Sequence, residues 1–93
     1  MRITNSSYLA EAIGTFVLVL SVLASAGNAL IVGGALALVI FLIGSVSGGN
    51  VNPAVSLAMM LNGSLTGREL IGYAVAQLVG GAGAAAVYRA FAN

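Results

Sequence analysis

The residues best suited to chemistry in this chain form one run, Ser47-Gly48-Gly49-Asn50-Val51-Asn52-Pro53-Ala54. Asn52 is a favoured helix N-cap, and Pro53 stands at the first helical position, where its missing N–H does no harm. The helix so opened runs from Pro53 to Leu61 and meets Asn62-Gly63, a C-terminal stop signal. At ~1.5 Å per residue such a rod is roughly 14 Å long. That is about half of the ~30 Å hydrocarbon core of a bilayer. The start of a helix carries roughly half a positive elementary charge and N–H groups without intrahelical partners. The Asn52 side chain adds an amide donor. Together these groups suit a neutral molecule with lone pairs and repel cations, hydronium included.

Little else on the chain could react. It has no Cys and no His, which removes disulfides, thiolate chemistry, the commonest zinc ligands and the usual general base. Glu11 and Glu69 are its only carboxylates and lie far apart in sequence, poor material for an acid–base pair. An enzyme is not expected, and no cofactor or metal site is implied. Glu11 interrupts an apolar segment. An ionisable group in that position is either functional or close enough to the interface to be solvated.

The elements that must hold these residues are membrane helices. Of 93 residues, 60% are hydrophobic and 5% are charged, namely Arg2, Glu11, Arg68, Glu69 and Arg89. Soluble domains average about 25% charged residues, so the bilayer is the expected solvent. A net charge of +1 supplies no basic patch for phosphates, and nucleic acid is not an expected partner. Residues 1–7 are polar enough for the interface. Apolar segments follow at about 8–26 and 29–46, separated by the turn signal Gly27-Asn28. A third covers about 67–91, opened by a Thr66–Glu69 capping box and closed near Arg89, whose side chain can snorkel. At roughly 20 residues per span this is one domain of three spans. A competing reading takes residues 12–26 as a secretion signal ending in Ala24-Ser25-Ala26. A lone Arg2 and an embedded Glu11 fit that pattern poorly.

The short helix falls between the second and third spans, within the segment 47–61. Hydrocarbon cannot satisfy its open backbone groups, so the run is expected to be re-entrant, buried in protein or wetted at mid-depth. The plainer reading, a cap on a short surface helix, suits a soluble protein better than this one. On the third span, Gly72, Ala76, Gly80 and Ala84 recur every fourth residue, a stripe that lets helices approach closely. The expected fold class is an all-α membrane protein with three transmembrane helices and one re-entrant half-helix.

The run Ser47-Gly48-Gly49-Asn50-Val51-Asn52-Pro53-Ala54-Val55-Ser56 resembles the first signature loop of the aquaporin and aquaglyceroporin (major intrinsic protein) family. Ala10-Glu11-Ala12-Ile13-Gly14-Thr15-Phe16 is similar to that family's first helix, and Gly72-Tyr73-Ala74-Val75-Ala76-Gln77-Leu78-Val79-Gly80-Gly81 to its third. The resemblance covers essentially the whole chain and implies the N-terminal half of an aquaporin-like fold, since family members carry two such halves. It implies that Asn52, Pro53 and Ala54 mark the pore midplane and that the carbonyls of Gly48, Gly49 and Asn50 lead to it. It further implies that Glu11 is buried and accepts hydrogen bonds from the loop backbone, with Gln77 in support. Carried over by position, the constriction involves Val32, Ile40, Gly49 and Val55. In the family an Arg follows the second Asn-Pro-Ala; here Val55 follows Ala54. Two identical halves would make an apolar constriction, and small neutral solutes such as glycerol join water as expected permeants.

Three helices and a half-helix cannot enclose a channel. A second copy, inverted about an axis in the membrane plane, would set two Asn52-Pro53 ends nose to nose at mid-depth. Arg2 and Arg68 fall on one side and Arg89 on the other, a bias weak enough to permit both orientations. The expected partners are lipid, an inverted second copy, and water or a small neutral solute; tetramers of such pairs follow from the resemblance alone. Three alternatives remain beside this. The partner is a different second-half subunit; the chain is a non-conducting, truncated or engineered subunit that assembles through its Gly/Ala stripe; or it is a dual-orientation exporter using Glu11 to exchange protons, which the apposed positive helix ends disfavour.

Overall fold

The computed structural model describes residues 1–92. Among them are four helices: α1 (Asn5–Ser25), α2 (Ala29–Ser47), α3 (Pro53–Leu61) and α4 (Gly67–Phe91). Helices α1, α2 and α4 are long and apolar enough to cross a membrane, and α3 is not. The molecule is 42 Å along its longest axis, which matches the ~40–45 Å of a bilayer with its headgroup regions.

Local signals set the helix ends. Helix α1 begins at Asn5, ahead of the apolar segment, because Thr4 N–H donates to Ser7 Oγ at 3.0 Å and Ser7 N–H to the Thr4 carbonyl at 2.9 Å. It ends at Ala26 and Gly27, both left-handed. The Asn28 side chain then opens α2, accepting from the Leu30 and Ile31 N–H groups at 3.1 Å each. At α3 the Asn52 Oδ1 accepts from Ala54 N–H at 2.8 Å, and Gly63 at φ 87° follows the C-cap. At α4 the Thr66–Glu69 capping box forms in both directions, at 2.9 and 3.1 Å.

Helix α1 packs between α2 and α4, and α3 lies along α4. Close approach depends on missing side chains. A Cβ at Gly14 would lie 2.7 Å from Ile43 Cδ1 of α2 and 2.9 Å from Val51 Cγ1 of the loop. A Cβ at Gly80 would overlap the Ala12 carbonyl of α1, and one at Gly72 would overlap the Tyr8 ring. Tyr8 and Tyr73 meet edge to face with ring centroids 5.6 Å apart. Ala84 of the same stripe is buried and Ala76 half-buried.

The interior is rich in polar groups, beside buried Val39, Val51, Leu65, Tyr73 and Ala84, and the exterior is apolar. Ser7, Glu11, Thr15, Ser47, Asn50, Ser56 and Gln77 are buried, while Leu30 is 88% and Phe41 84% exposed. Burying apolar side chains gains little against lipid, so helices in a bilayer associate through small residues and hydrogen bonds. This inside-out distribution agrees with lipid as the solvent.

Candidate functional site

The loop between α2 and α3 folds back under a single carboxylate. Glu11 Oε2 accepts from the Ser47 hydroxyl at 2.7 Å and from Asn50 N–H at 3.0 Å. Its Oε1 accepts from Val51 N–H at 2.7 Å and from Gln77 Nε2 at 2.9 Å. Glu11 is fully buried; a group like that is tolerable only when its oxygens are fully engaged. Gln77 Nε2 also donates to Ser56 Oγ at 2.8 Å, and Asn50 Nδ2 donates to the same oxygen at 3.0 Å. The network thus joins α1, the loop, the first turn of α3 and the middle of α4.

The end of α2 is sealed in the same way. Tyr73 donates its hydroxyl to the Ser47 carbonyl at 2.6 Å, and Ser7 donates to the Val46 carbonyl at 2.7 Å. These bonds occupy carbonyls that a helix end leaves free. The chain then passes Gly48 (φ 89°) and Gly49 (φ 63°). A side chain at Gly49 would press on the Ile40 backbone, since its Cβ would lie 3.2 Å from Ile40 Cα. Val51 follows at φ 48°. Left-handed backbone costs a residue with a Cβ roughly 1–2 kcal/mol and is a true outlier for a β-branched one. Val51 is held there by its bond to Glu11 and by burial against Gly14.

The outcome of this folding is the placement of Asn52. Asn52, Pro53 and Ala54 are exposed at the start of α3. Asn52 and Pro53 border an open groove of about 560 Å³ that Thr15, Val19, Val51, Gln77, Leu78, Gly81 and Ala82 also line. Thr15 is the central residue of α1 (Asn5–Ser25), and Leu78 lies next to the centre of α4 (Gly67–Phe91). The helix start therefore stands at the mid-height of the bundle. Ile40 and Gly49 are in contact, and Val55 is half-buried on the first turn of α3. Val32 lies eight residues before Ile40 on α2, so about 12 Å of helix rise separates it from that contact.

Several participants carry no mark in the sequence beyond being polar in apolar surroundings. Ser7 belongs to this group; Thr15 and Tyr73 stand in the sequence only as members of the helix runs that resemble the family, and Ser47 and Ser56 only as members of the loop motif. Two buried atoms of the site, Thr15 Oγ1 and Gln77 Oε1, have no hydrogen-bond partner among the described residues.

Three spanning helices, with a half-helix along α4 that starts at mid-height, define an integral, multi-pass membrane protein with a re-entrant loop. The chain belongs to the major intrinsic protein family, whose sequence pattern it matches over residues 3–93. It is 38% identical over 94 residues to the glycerol uptake facilitator protein-like 6 of Lactiplantibacillus plantarum, covering 92% of this chain and 44% of that protein. It is 46% identical over 79 residues to aquaporin-8 of Rattus norvegicus (78% of this chain, 30% of that one). Identity to the aquaglyceroporin AqpS of Rhizobium meliloti is 36% over 87 residues, 77% of this chain and 37% of that one. The chain spans less than half the length of these relatives. No solved structure matches it significantly.

Proposed function

We propose that this chain forms a passive channel for water and small neutral solutes such as glycerol, built from two copies in opposite orientation. The observation that carries the reading is the position of α3. Its start, with Asn52, Pro53 and Ala54 uncovered, lies level with the centres of α1 and α4. The helix then occupies one half of the bundle height and leaves the other half unfilled. A mid-membrane helix start left facing lipid would strand its polar backbone. A second, inverted copy supplies the missing half-helix and closes the arrangement by two-fold symmetry. The names of the relatives, a glycerol uptake facilitator protein-like 6, an aquaporin and an aquaglyceroporin, agree with a neutral permeant.

In this channel two helix starts face each other, and their combined positive ends raise the energy of a cation between them. The Asn52 amide offers a donor to a passing oxygen, and the carbonyls of Gly48, Gly49 and Asn50 offer acceptors on the approach. Val32, Ile40, Gly49 and Val55 form the narrowing, repeated at both mouths by symmetry. Proteoliposomes holding the protein should shrink faster under an osmotic gradient than empty ones, with no added proton current. Asn52→Asp sets a carboxylate against the helix ends. A barrier lowered by ~1.4 kcal/mol raises flux about tenfold, so the variant should leak protons at least that much more. No faster shrinkage than in empty vesicles would favour a non-conducting subunit, and equal proton leak in parent and variant would remove the dipole account.

A further inference from the structure

Helix α3 runs from mid-height toward the end of the bundle where α1 and α4 begin. At that end a pocket of about 160 Å³ lies between the loop, the second half of α3 and the chain ahead of α1. Its walls include Met1, Gly48, Asn50, Met59, Ser64 and Leu65, and it shares no residue with the groove beside Asn52. Met1 and Ser64 are exposed at its rim, so the pocket is reached from water.

The pocket is polar at its base and apolar on its sides. Asn50 is 7% exposed, and its amide is only half engaged. Its Nδ2 donates to Ser56 Oγ at 3.0 Å, while among the described residues nothing donates to its Oδ1. That oxygen lies 3.5 Å from the point a Cβ on Gly48 would occupy, and Met1 Cε and Sδ lie 3.3 and 4.0 Å from the same point. Gly48 is left-handed at φ 89°, a conformation that disfavours any residue with a Cβ, so the space stays open. An unpartnered acceptor and a thioether therefore bound one small void. Met1, Met59 and Leu65 are apolar, and the two methionines are adaptable in shape. No charged side chain lines the pocket.

Size and lining decide between water and a solute. A cavity of ~150 Å³ accepts a ring of six carbons, so this one takes about six heavy atoms. At ~30 Å³ each, about five waters would fill the same volume, and a buried water needs two to four polar partners. One amide oxygen and one rim hydroxyl cannot supply them. A molecule with hydroxyls on one side and C–H groups on the other meets both kinds of wall. We propose that this pocket is a binding seat for a small polyol of glycerol's size, with one hydroxyl donating to Asn50 Oδ1, a second at Ser64 and the carbon chain against Met1, Met59 and Leu65. The seat is complete in one copy. That the bound polyol goes on past the loop carbonyls to Asn52 rests on the channel reading.

The chain's three methionines supply the probe, since Met1 and Met59 line the pocket and Met60 does not. Protein labelled with ¹³C-methyl methionine is placed in nanodiscs and titrated with glycerol. The methyl signals of Met1 and Met59 should shift along one saturating curve while that of Met60 holds. 1-Propanol, which keeps the chain length and one hydroxyl, should bind about fivefold more weakly, the typical worth of one hydrogen bond. Met59→Trp fills the pocket and should flatten the Met1 response. No saturable shift in the unsubstituted protein, or three methyls moving together in proportion to glycerol, would overturn the seat. Propanol binding as tightly as glycerol would overturn the polyol assignment. Osmotic shrinkage of proteoliposomes is read separately. Saturating shifts without faster shrinkage would leave the seat and remove the channel; faster shrinkage without them would do the reverse.

Discussion

Glu11 has both carboxylate oxygens doubly engaged, by a hydroxyl, two backbone N–H groups and an amide from three different parts of the chain. Each partner donates, so the site accepts only a group that offers acceptors in all directions. Glu11→Gln keeps the shape but turns an NH₂ toward donors. It should cost about 2 kcal/mol, since bonds to a charged group are worth ~1.5–3 kcal/mol, and the melting temperature in detergent should fall with it. An unchanged melting temperature would mean that the loop holds without its anchor. Val51 tests the loop from the other side. Val51→Ala and Val51→Gly both remove the side chain, but only Gly is at ease at φ 48°. The Gly variant should be the more stable of the two by about 1 kcal/mol in the same melting experiment; the reverse order would contradict a left-handed residue 51. The sequence points to Glu11 and Gln77 through a family resemblance, and to Asn52 through capping chemistry. It does not point to Val51, because β-branched residues are the last expected in left-handed backbone. Nor does it reveal the bonds of Ser7 and Tyr73, whose acceptors on α2 lie 39 and 26 residues away.

At the scale of elements, α3 and the start of α4 are legible because their signals are local. Asn52-Pro53 starts one, Asn62-Gly63 stops it, and Thr66 with Glu69 opens the next. The start of α1 is not, because Asn5, Ser6 and Ser7 look like an interfacial tail by hydropathy. Ser7 becomes helical while bonding Thr4 in its own turn and the Val46 carbonyl across the bundle, and the second bond is invisible to any local pattern. The Gly/Ala stripe of α4 announces close packing, but only the structure shows which member is critical. Gly80 faces backbone and cannot yield; Gly83, outside the stripe, faces the Phe16 ring at an ordinary 3.6 Å. Gly80→Ala should therefore destabilise the bundle by about 1–3 kcal/mol, the usual range for overpacking. Gly83→Ala should be neutral or slightly stabilising, since Ala is the better helix former. Equal effects of the two in a denaturation series would show that α1 and α4 are not packed at Gly80.

For the whole molecule, the governing fact is that the half-helix fills one half of the bundle height and an open groove between α1 and α4 lies beside its start. A network of buried polar groups under an apolar exterior joins the three spans, and among the described residues two of its buried atoms, Thr15 Oγ1 and Gln77 Oε1, have no partner, beside the uncovered Asn52 and Pro53. The surface is thus unfinished at the place where a second half-helix would meet the first. The relative orientation of two copies is the point on which the channel reading turns. It is measured most directly by joining Ser6→Cys on one copy to Ala90→Cys on another, in liposomes, with a short bifunctional maleimide. These positions lie at opposite ends of the bundle, on exposed turns of α1 and α4. Links between unlike ends, with few between like ends, are the predicted result. Links confined to Ser6 with Ser6 and Ala90 with Ala90 would place both copies the same way up and contradict it.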